Sequence, residues 1–257
     1  MSAAEAAAAI QSLDELTRKL RVECPWDREQ DARSIVPHTL EEAYELADAV
    51  GSGDDGKQLD ELGDVLFQVH FLSLLLEERG AGSLAAVAEH VRQKLISRHP
   101  HVFGSVEVAS AGEVLKNWDQ IKQTEAGREP GIFGEVPENL PGPLYARKVQ
   151  RRAATAGLDV DAVPYEVAES ALETLRAVDS DREASFTAVG DLLFAVVDVA
   201  RKLKVDPELA LRASAGRYRT AVEAAEALAV AEGRAWADLS EEEKLQTYAR
   251  AMLRGDG

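Results

Sequence analysis

The chain has one cysteine, Cys24, so it can form no internal disulfide. A lone thiol is more often a small buried side chain than a nucleophile. Aromatic residues are scarce, at 5% of 257 residues, while Ala, Leu, Glu and Val are abundant. That mixture favours helices over sheets. No apolar run approaches the roughly 20 residues that span a bilayer. Positive charge is also in deficit: 29 bases against 46 acids give a formal net charge of -17. Such a surface repels polyanions and argues against DNA or RNA strands as partners. A small phosphate ligand remains open to it through a local basic cluster or a bound cation. The opening "MSAAEAAAAIQSLDELTRKL" is Ala-rich but carries Glu5, Asp14 and Glu15, which reads as an amphipathic helix and not a signal peptide. The expectation is a soluble cytoplasmic protein with no membrane partner.

Proline and glycine are concentrated in one place. Residues 125–143, "EAGREPGIFGEVPENLPGP", hold four of the nine prolines and four glycines. Neither helix nor strand survives that density, so the segment reads as a linker between units 1–124 and 144–257. The two halves resemble each other. "GDVLFQV" (63–69) recurs as "GDLLFAV" (190–196), with five of seven positions identical, and "LEEAYEL" (40–46) is echoed by "AESALET" (168–174). The offsets, 127 and 128, are nearly equal, which indicates duplication of one helical unit. Apolar periodicity in the first half predicts helices at 3–22, 37–50, 57–79, 83–98 and 111–124. No alternating strand pattern is present. Helix 57–79 is apolar nearly all round, which predicts a buried central helix.

That apolar helix nevertheless carries Glu61 and Asp64. The helix before it presents Glu41, Glu42 and Glu45, with Gly53 at the middle of the intervening loop. Glu45 and Glu61 lie eight residues either side of Gly53, and Glu42 and Asp64 eleven. Both helices rise about 1.5 Å per residue. A hairpin would therefore set Glu45 level with Glu61 and Glu42 level with Asp64. Four inward carboxylates repel one another unless a cation joins them. All-oxygen ligation suits Mg²⁺, Mn²⁺ or Ca²⁺ over Zn²⁺. Gly63, between the two acids of the second helix, costs about 1 kcal/mol against Ala; a close neighbouring helix or ligand would explain it. The bland reading makes Glu41, Glu42 and Glu45 a solvated face, but leaves Glu61 and Asp64 unexplained. A di-iron bundle would need E-x-x-H pairs, and His70 stands six residues after Asp64. His99 and His101 flank a proline with no second ligand pair and read as turn residues.

With these residues in view, the sequence resembles the MazG nucleoside triphosphate pyrophosphohydrolases. The resemblance rests on E-E-x-x-E, then fifteen intervening residues, then E-x-x-D. It also rests on "CPWDREQ" (24–30), "HTLEEAYEL" (38–46), "RHPHVFG" (98–104) and "NWDQIK" (117–122). It implies an all-α fold of two tandem MazG-like bundles, each built round an acidic hairpin, in a chain that forms homodimers. The implied reaction is Mg²⁺-dependent cleavage of a nucleoside triphosphate to the monophosphate and pyrophosphate, with Mn²⁺ as a substitute. By the family pattern Glu42, Glu45, Glu61 and Asp64 ligate Mg²⁺, and Glu41 orients a ligand or activates water. Lys94 and Arg98 match the phosphate-contacting K-x-x-x-R, and Trp118 and Lys122 the nucleotide-contacting W-x-x-x-K. The alternatives beside these are solvated surface for Lys94 and Arg98, core packing for Trp118, a dUTPase- or dCTPase-like preference, and a non-catalytic helical module. The second repeat departs from the pattern. Glu169, Ser170, Glu173, Ala188 and Asp191 stand where Glu41, Glu42, Glu45, Glu61 and Asp64 do, so two of four expected ligands are gone. Arg217 matches the lysine, while Ala221 occupies the arginine position. The expectation is a second unit that keeps the fold without the metal site.

Overall fold

A computed structural model describes residues 2–124, 131–134, 136–178 and 181–255. Among them there are helices and no strands, and the chain divides into compact units at Met1–Ala126 and Gly127–Gly257. The fold is all-α, as the composition predicts. Part of the expected linker, 125–130 and residue 135, lies outside the described residues.

The first unit contains α1 (Ala3–Glu23), α2 (Pro25–Glu29), α3 (Ala32–Ser52), α4 (Asp55–Glu78), α5 (Leu84–Ser97), α6 (Pro100–Phe103) and α7 (Ala111–Thr124). Local chemistry sets its boundaries. Ser2 and Glu5 form a capping box at α1. Asp31 accepts from the backbone N–H groups of Arg33 and Ser34. That cap starts α3 five residues before the predicted start at Pro37, and the proline is absorbed inside the helix. Pro25 occupies the first turn of the short α2, where a missing N–H costs nothing. Gly53 ends α3 at φ 71°, a left-handed conformation that favours glycine. Asp54 then caps α4 through Gly56 and Lys57. The turn between α3 and α4 is therefore tight and centred on Gly53.

The core of this unit lies at the far end of that hairpin from the turn. Ile35, Phe71 and Leu75 are buried, with Ala32, Phe67 and Leu72 packed against them. Arg21 fastens α1 and α2 over it. Its guanidinium donates twice to Glu78 at 2.8 and 2.9 Å, to the Gln30 carbonyl at 3.0 Å and to the Asp27 carbonyl. It also sits 5.8 Å from the centre of the Phe71 ring. Arg18 makes a parallel pair of bonds to Glu77, at 3.0 and 2.8 Å.

The prediction that α4 is a buried central helix holds only for part of its second half. Gln68, His70, Phe71, Ser73, Leu74 and Leu75 are buried, but Leu59, Leu62, Leu66 and Val69 are exposed in the single chain, Leu59 by 75%. An apolar surface all round a helix shows that it is to be covered, not by which chain. Gly63 lies in this exposed half. A Cβ there would meet nothing within 4 Å, so no neighbour in this chain accounts for the glycine.

The second unit contains α8 (Gly142–Thr155), α9 (Tyr165–Ala177), α10 (Arg182–Lys202), α11 (Pro207–Ala231), a 3₁₀ turn (Trp236–Asp238) and α12 (Glu241–Gly255). α8 begins two residues inside the expected linker, because Pro143 is tolerated in a first helical turn. α9 and α10 pack together, as do α11 and α12. The repeat offset of 127 places Asp198, Arg201 and Lys202 where the first unit has Phe71, Leu74 and Leu75. There Arg201 bridges Asp159 and Asp198 at 2.8 and 2.7 Å, and Lys202 meets Asp159 at 2.9 Å. At these three positions ion-paired side chains stand where the first unit has apolar ones. This ion pairing holds the Asp159 carboxyl down to about 2, chiefly through the bond from Arg201.

Candidate functional site

α3 and α4 bring three of the five predicted acids together. Carboxylate oxygens of Glu42, Glu45 and Glu61 all lie within 4.8 Å of one another. Glu42 and Glu61 are half-buried and Glu45 is exposed. One oxygen of Glu61, Oε2, is buried with no hydrogen-bond partner. Asp64 is exposed and stays outside this close triple. Glu41 lies to one side, its Oε2 3.7 Å from His38 Nδ1. His38 in turn meets Trp26 of α2 edge-on, with ring centres 6.0 Å apart, so the "PWD" segment borders the acidic hairpin.

Two carboxyls of the group are held above the ordinary carboxylate range. For Glu42 the largest cause is burial, followed by repulsion from Asp64, Glu45, Glu61 and Glu41. For Glu61 it is again burial, then repulsion from Glu45, Asp64 and Asp60, and a hydrogen bond with Glu45. The order of neighbours matches the expected levels, with Glu42 feeling Asp64 most and Glu61 feeling Glu45 most. Crowded carboxylates with an unpartnered buried oxygen are the arrangement a hard cation relieves. Among the described residues these are the only three metal-ligand side chains that converge, and His99 and His101 are not among them.

The basic and aromatic residues sit on the next elements. Lys94 is half-buried on α5, and Trp118 and Lys122 are half-buried on α7. Arg98, at the end of α5, is 7% exposed. Its guanidinium lies over the Trp118 ring, 5.4 Å from the centre. His99 meets the same indole edge-on at 4.8 Å. Neither contact was legible in the sequence, since about twenty residues without a shared helical period separate the partners.

In the second unit, a cavity of about 420 Å³ is lined by Glu166, Val167, Ser170, Ala171, Thr174, Ala188 and Asp191. It contains Ser170, Ala188 and Asp191 of the repeat-equivalent positions. No three metal-ligand side chains converge there among the described residues.

The first unit is thus an α-helical bundle with an acidic hairpin able to hold a hard cation. A family model described as the MazG nucleotide pyrophosphohydrolase domain matches residues 30–103, which include all five acids with Lys94 and Arg98. The nucleoside triphosphate pyrophosphohydrolase of Escherichia coli strain K12 is 36% identical over 219 residues, covering 82% of this chain and 83% of its own. The Thermotoga maritima protein named nucleoside triphosphate pyrophosphohydrolase/pyrophosphatase MazG is 36% identical over 258 residues, 98% of each chain. The chain belongs to the MazG family of nucleoside triphosphate pyrophosphohydrolases, which are metal-dependent hydrolases.

Proposed function

We propose that the chain hydrolyses nucleoside triphosphates to the monophosphate and pyrophosphate with Mg²⁺, or Mn²⁺ in its place, held by Glu42, Glu45, Glu61 and Asp64. The observation that carries this is the convergence of Glu42, Glu45 and Glu61 within 4.8 Å, with Glu61 Oε2 unpartnered. When bound, Mg²⁺ supplies charge neutralisation at phosphate oxygens and a more acidic water. The chain's own residues do the rest. Lys94 and Arg98, one helical turn apart, bind phosphate oxygens. Trp118 stacks on the base or ribose, with Lys122 one turn further on. Glu41, beside His38, orients the ligand or activates water. Stacking reads little of the base edge, which fits broad acceptance of canonical or aberrant nucleotides. The charge of -17 keeps polynucleotides away.

The second unit, in this reading, is a tandem copy that keeps the fold and lacks the metal site. Ser170 is a weak Mg²⁺ ligand and Ala188 is none. The exposed stripe of Leu59, Leu62, Leu66 and Val69 is covered by a second copy of the chain, giving a homodimer.

Glu42→Gln and Asp64→Asn test the site. Each is expected to abolish pyrophosphate release while the helical circular dichroism spectrum is unchanged. Unchanged activity in both would overturn the assignment.

A further inference from the structure

We propose that His99 is a positioning residue that holds the indole of Trp118 for base stacking; this rests on the reading of Trp118 as the nucleotide platform. His99 occupies a junction. α5 ends at Ser97 and α6 begins at Pro100, whose ring fixes the exit of the chain. Gly104 closes the far side of α6 so tightly that a Cβ there would stand 2.9 Å from the Pro100 carbonyl oxygen. Within this junction His99 Nδ1 lies 2.6 Å from the Leu95 carbonyl oxygen. A carbonyl only accepts, so Nδ1 carries the proton and the ring is tied to α5. The ring then meets Trp118 at 4.8 Å with an interplanar angle of 83°, while His101 lies beside it at 5.5 Å.

Trp118 is thus held by two consecutive residues, Arg98 over its ring and His99 against it. An edge-to-face aromatic contact adds orientation beyond the area it buries. Substrate that stacks on an indole already in place avoids the ordering cost of fixing that side chain. Loss of the contact is a loss of binding, so it falls on KM with kcat preserved.

The test uses the full chain with ATP and Mg²⁺. His99→Ala is expected to raise KM roughly threefold to tenfold, the weight of one aromatic contact, with kcat close to wild type. His99→Phe keeps an aromatic ring and loses the bond to Leu95, and is expected to recover most of the affinity. In a Trp26→Phe, Trp236→Phe background, the emission of Trp118 is expected to shift in His99→Ala and to return towards wild type in His99→Phe. KM unchanged in His99→Ala while Trp118→Ala raises it would overturn the positioning role and leave the platform reading standing. So would failure of a folded His99→Phe variant to recover affinity. KM unchanged in Trp118→Ala itself would overturn the platform reading first, and this inference with it.

Discussion

Glu45 and Glu61 meet across the α3–α4 hairpin, eight residues either side of Gly53, with carboxylate oxygens inside the 4.8 Å span they share with Glu42. Burial and the Glu45 charge hold the Glu61 carboxyl above its ordinary range. Such a pair is costly alone and valuable once a cation joins it.

Metal addition and removal expose that balance. Mg²⁺ at about 100 times its dissociation constant contributes about 2.7 kcal/mol to a folded state that alone binds it. Thermal melting is expected to rise by several degrees on adding Mg²⁺ and to fall back with a chelator. Glu61→Gln removes one repelling charge and one ligand. The variant is expected to melt higher than wild type without metal and to lose most of the Mg²⁺ response. A full Mg²⁺ response in the variant would count against Glu61 as a ligand.

The pH dependence of the metal-free protein follows from the same groups. Glu42 and Glu61 have raised folded-state values, so the folded chain binds their protons more tightly than the unfolded chain. Their cost to stability is full at neutral pH and is relieved as pH falls through the folded value towards the ordinary carboxylate value of about 4.3. Glu89, Asp159 and Glu243, lowered to about 2, act in the opposite sense. Their contribution is present above the ordinary carboxylate value and is lost as pH falls towards 2. Urea midpoints without metal are expected to rise from pH 7 into the mildly acidic range and then fall. The Glu42→Gln, Glu61→Gln double variant is expected to lose the rise. A rise of equal size in the double variant would contradict this assignment.

Arg21 and Arg18 form similar ion pairs with glutamates of α4, and Arg18 also bonds Asp14 at 2.8 Å, but the two differ in burial. The Arg21 side chain is 17% exposed and also bonds two backbone carbonyls, whereas that of Arg18 is 41% exposed. Arg21→Ala is expected to cost about 1.5–3 kcal/mol, as for bonds to a charged group. Arg18→Ala is expected to cost no more than about 1 kcal/mol. Urea unfolding of both variants measures the order, and equal costs would refute it.

The exposed leucines of α4 give a prediction about the proposed assembly. Leu62→Arg is expected to convert the proposed homodimer to monomer in sedimentation velocity, with helix content preserved. In that monomer Gly63→Ala is expected to stabilise by up to about 1 kcal/mol, because a Cβ there has open space within the chain. A wild-type protein that sediments as a monomer would contradict the covered stripe.

What the sequence could reveal followed fixed rules of geometry. The rise per residue and a short Gly-rich turn were enough to set Glu45 against Glu61, while Asp64, expected level with Glu42, stays outside the close triple. The early start of α3 was hidden because Pro37 reads as a first-turn residue, while the stronger signal was the Asp31 cap. Apolar periodicity along α4 could not show that Leu59, Leu62, Leu66 and Val69 stay exposed in the single chain. Arg98 reads as a phosphate ligand by its spacing from Lys94; its burial against Trp118 goes against the solvated-surface alternative, and no local pattern carries that contact. The change from Phe71, Leu74 and Leu75 to Asp198, Arg201 and Lys202 stands in the repeat itself. Its meaning as a network closed by Asp159 needed the tertiary structure.

In the proposed function the chemistry resides in the first unit. Its most direct test is product-resolved hydrolysis of a nucleoside triphosphate by two full-length double variants, Glu42→Gln with Asp64→Asn, and Ser170→Ala with Asp191→Asn. Loss of monophosphate and pyrophosphate release in the first, with wild-type release in the second, is the predicted result. Wild-type release in the first, with loss in the second, would contradict it.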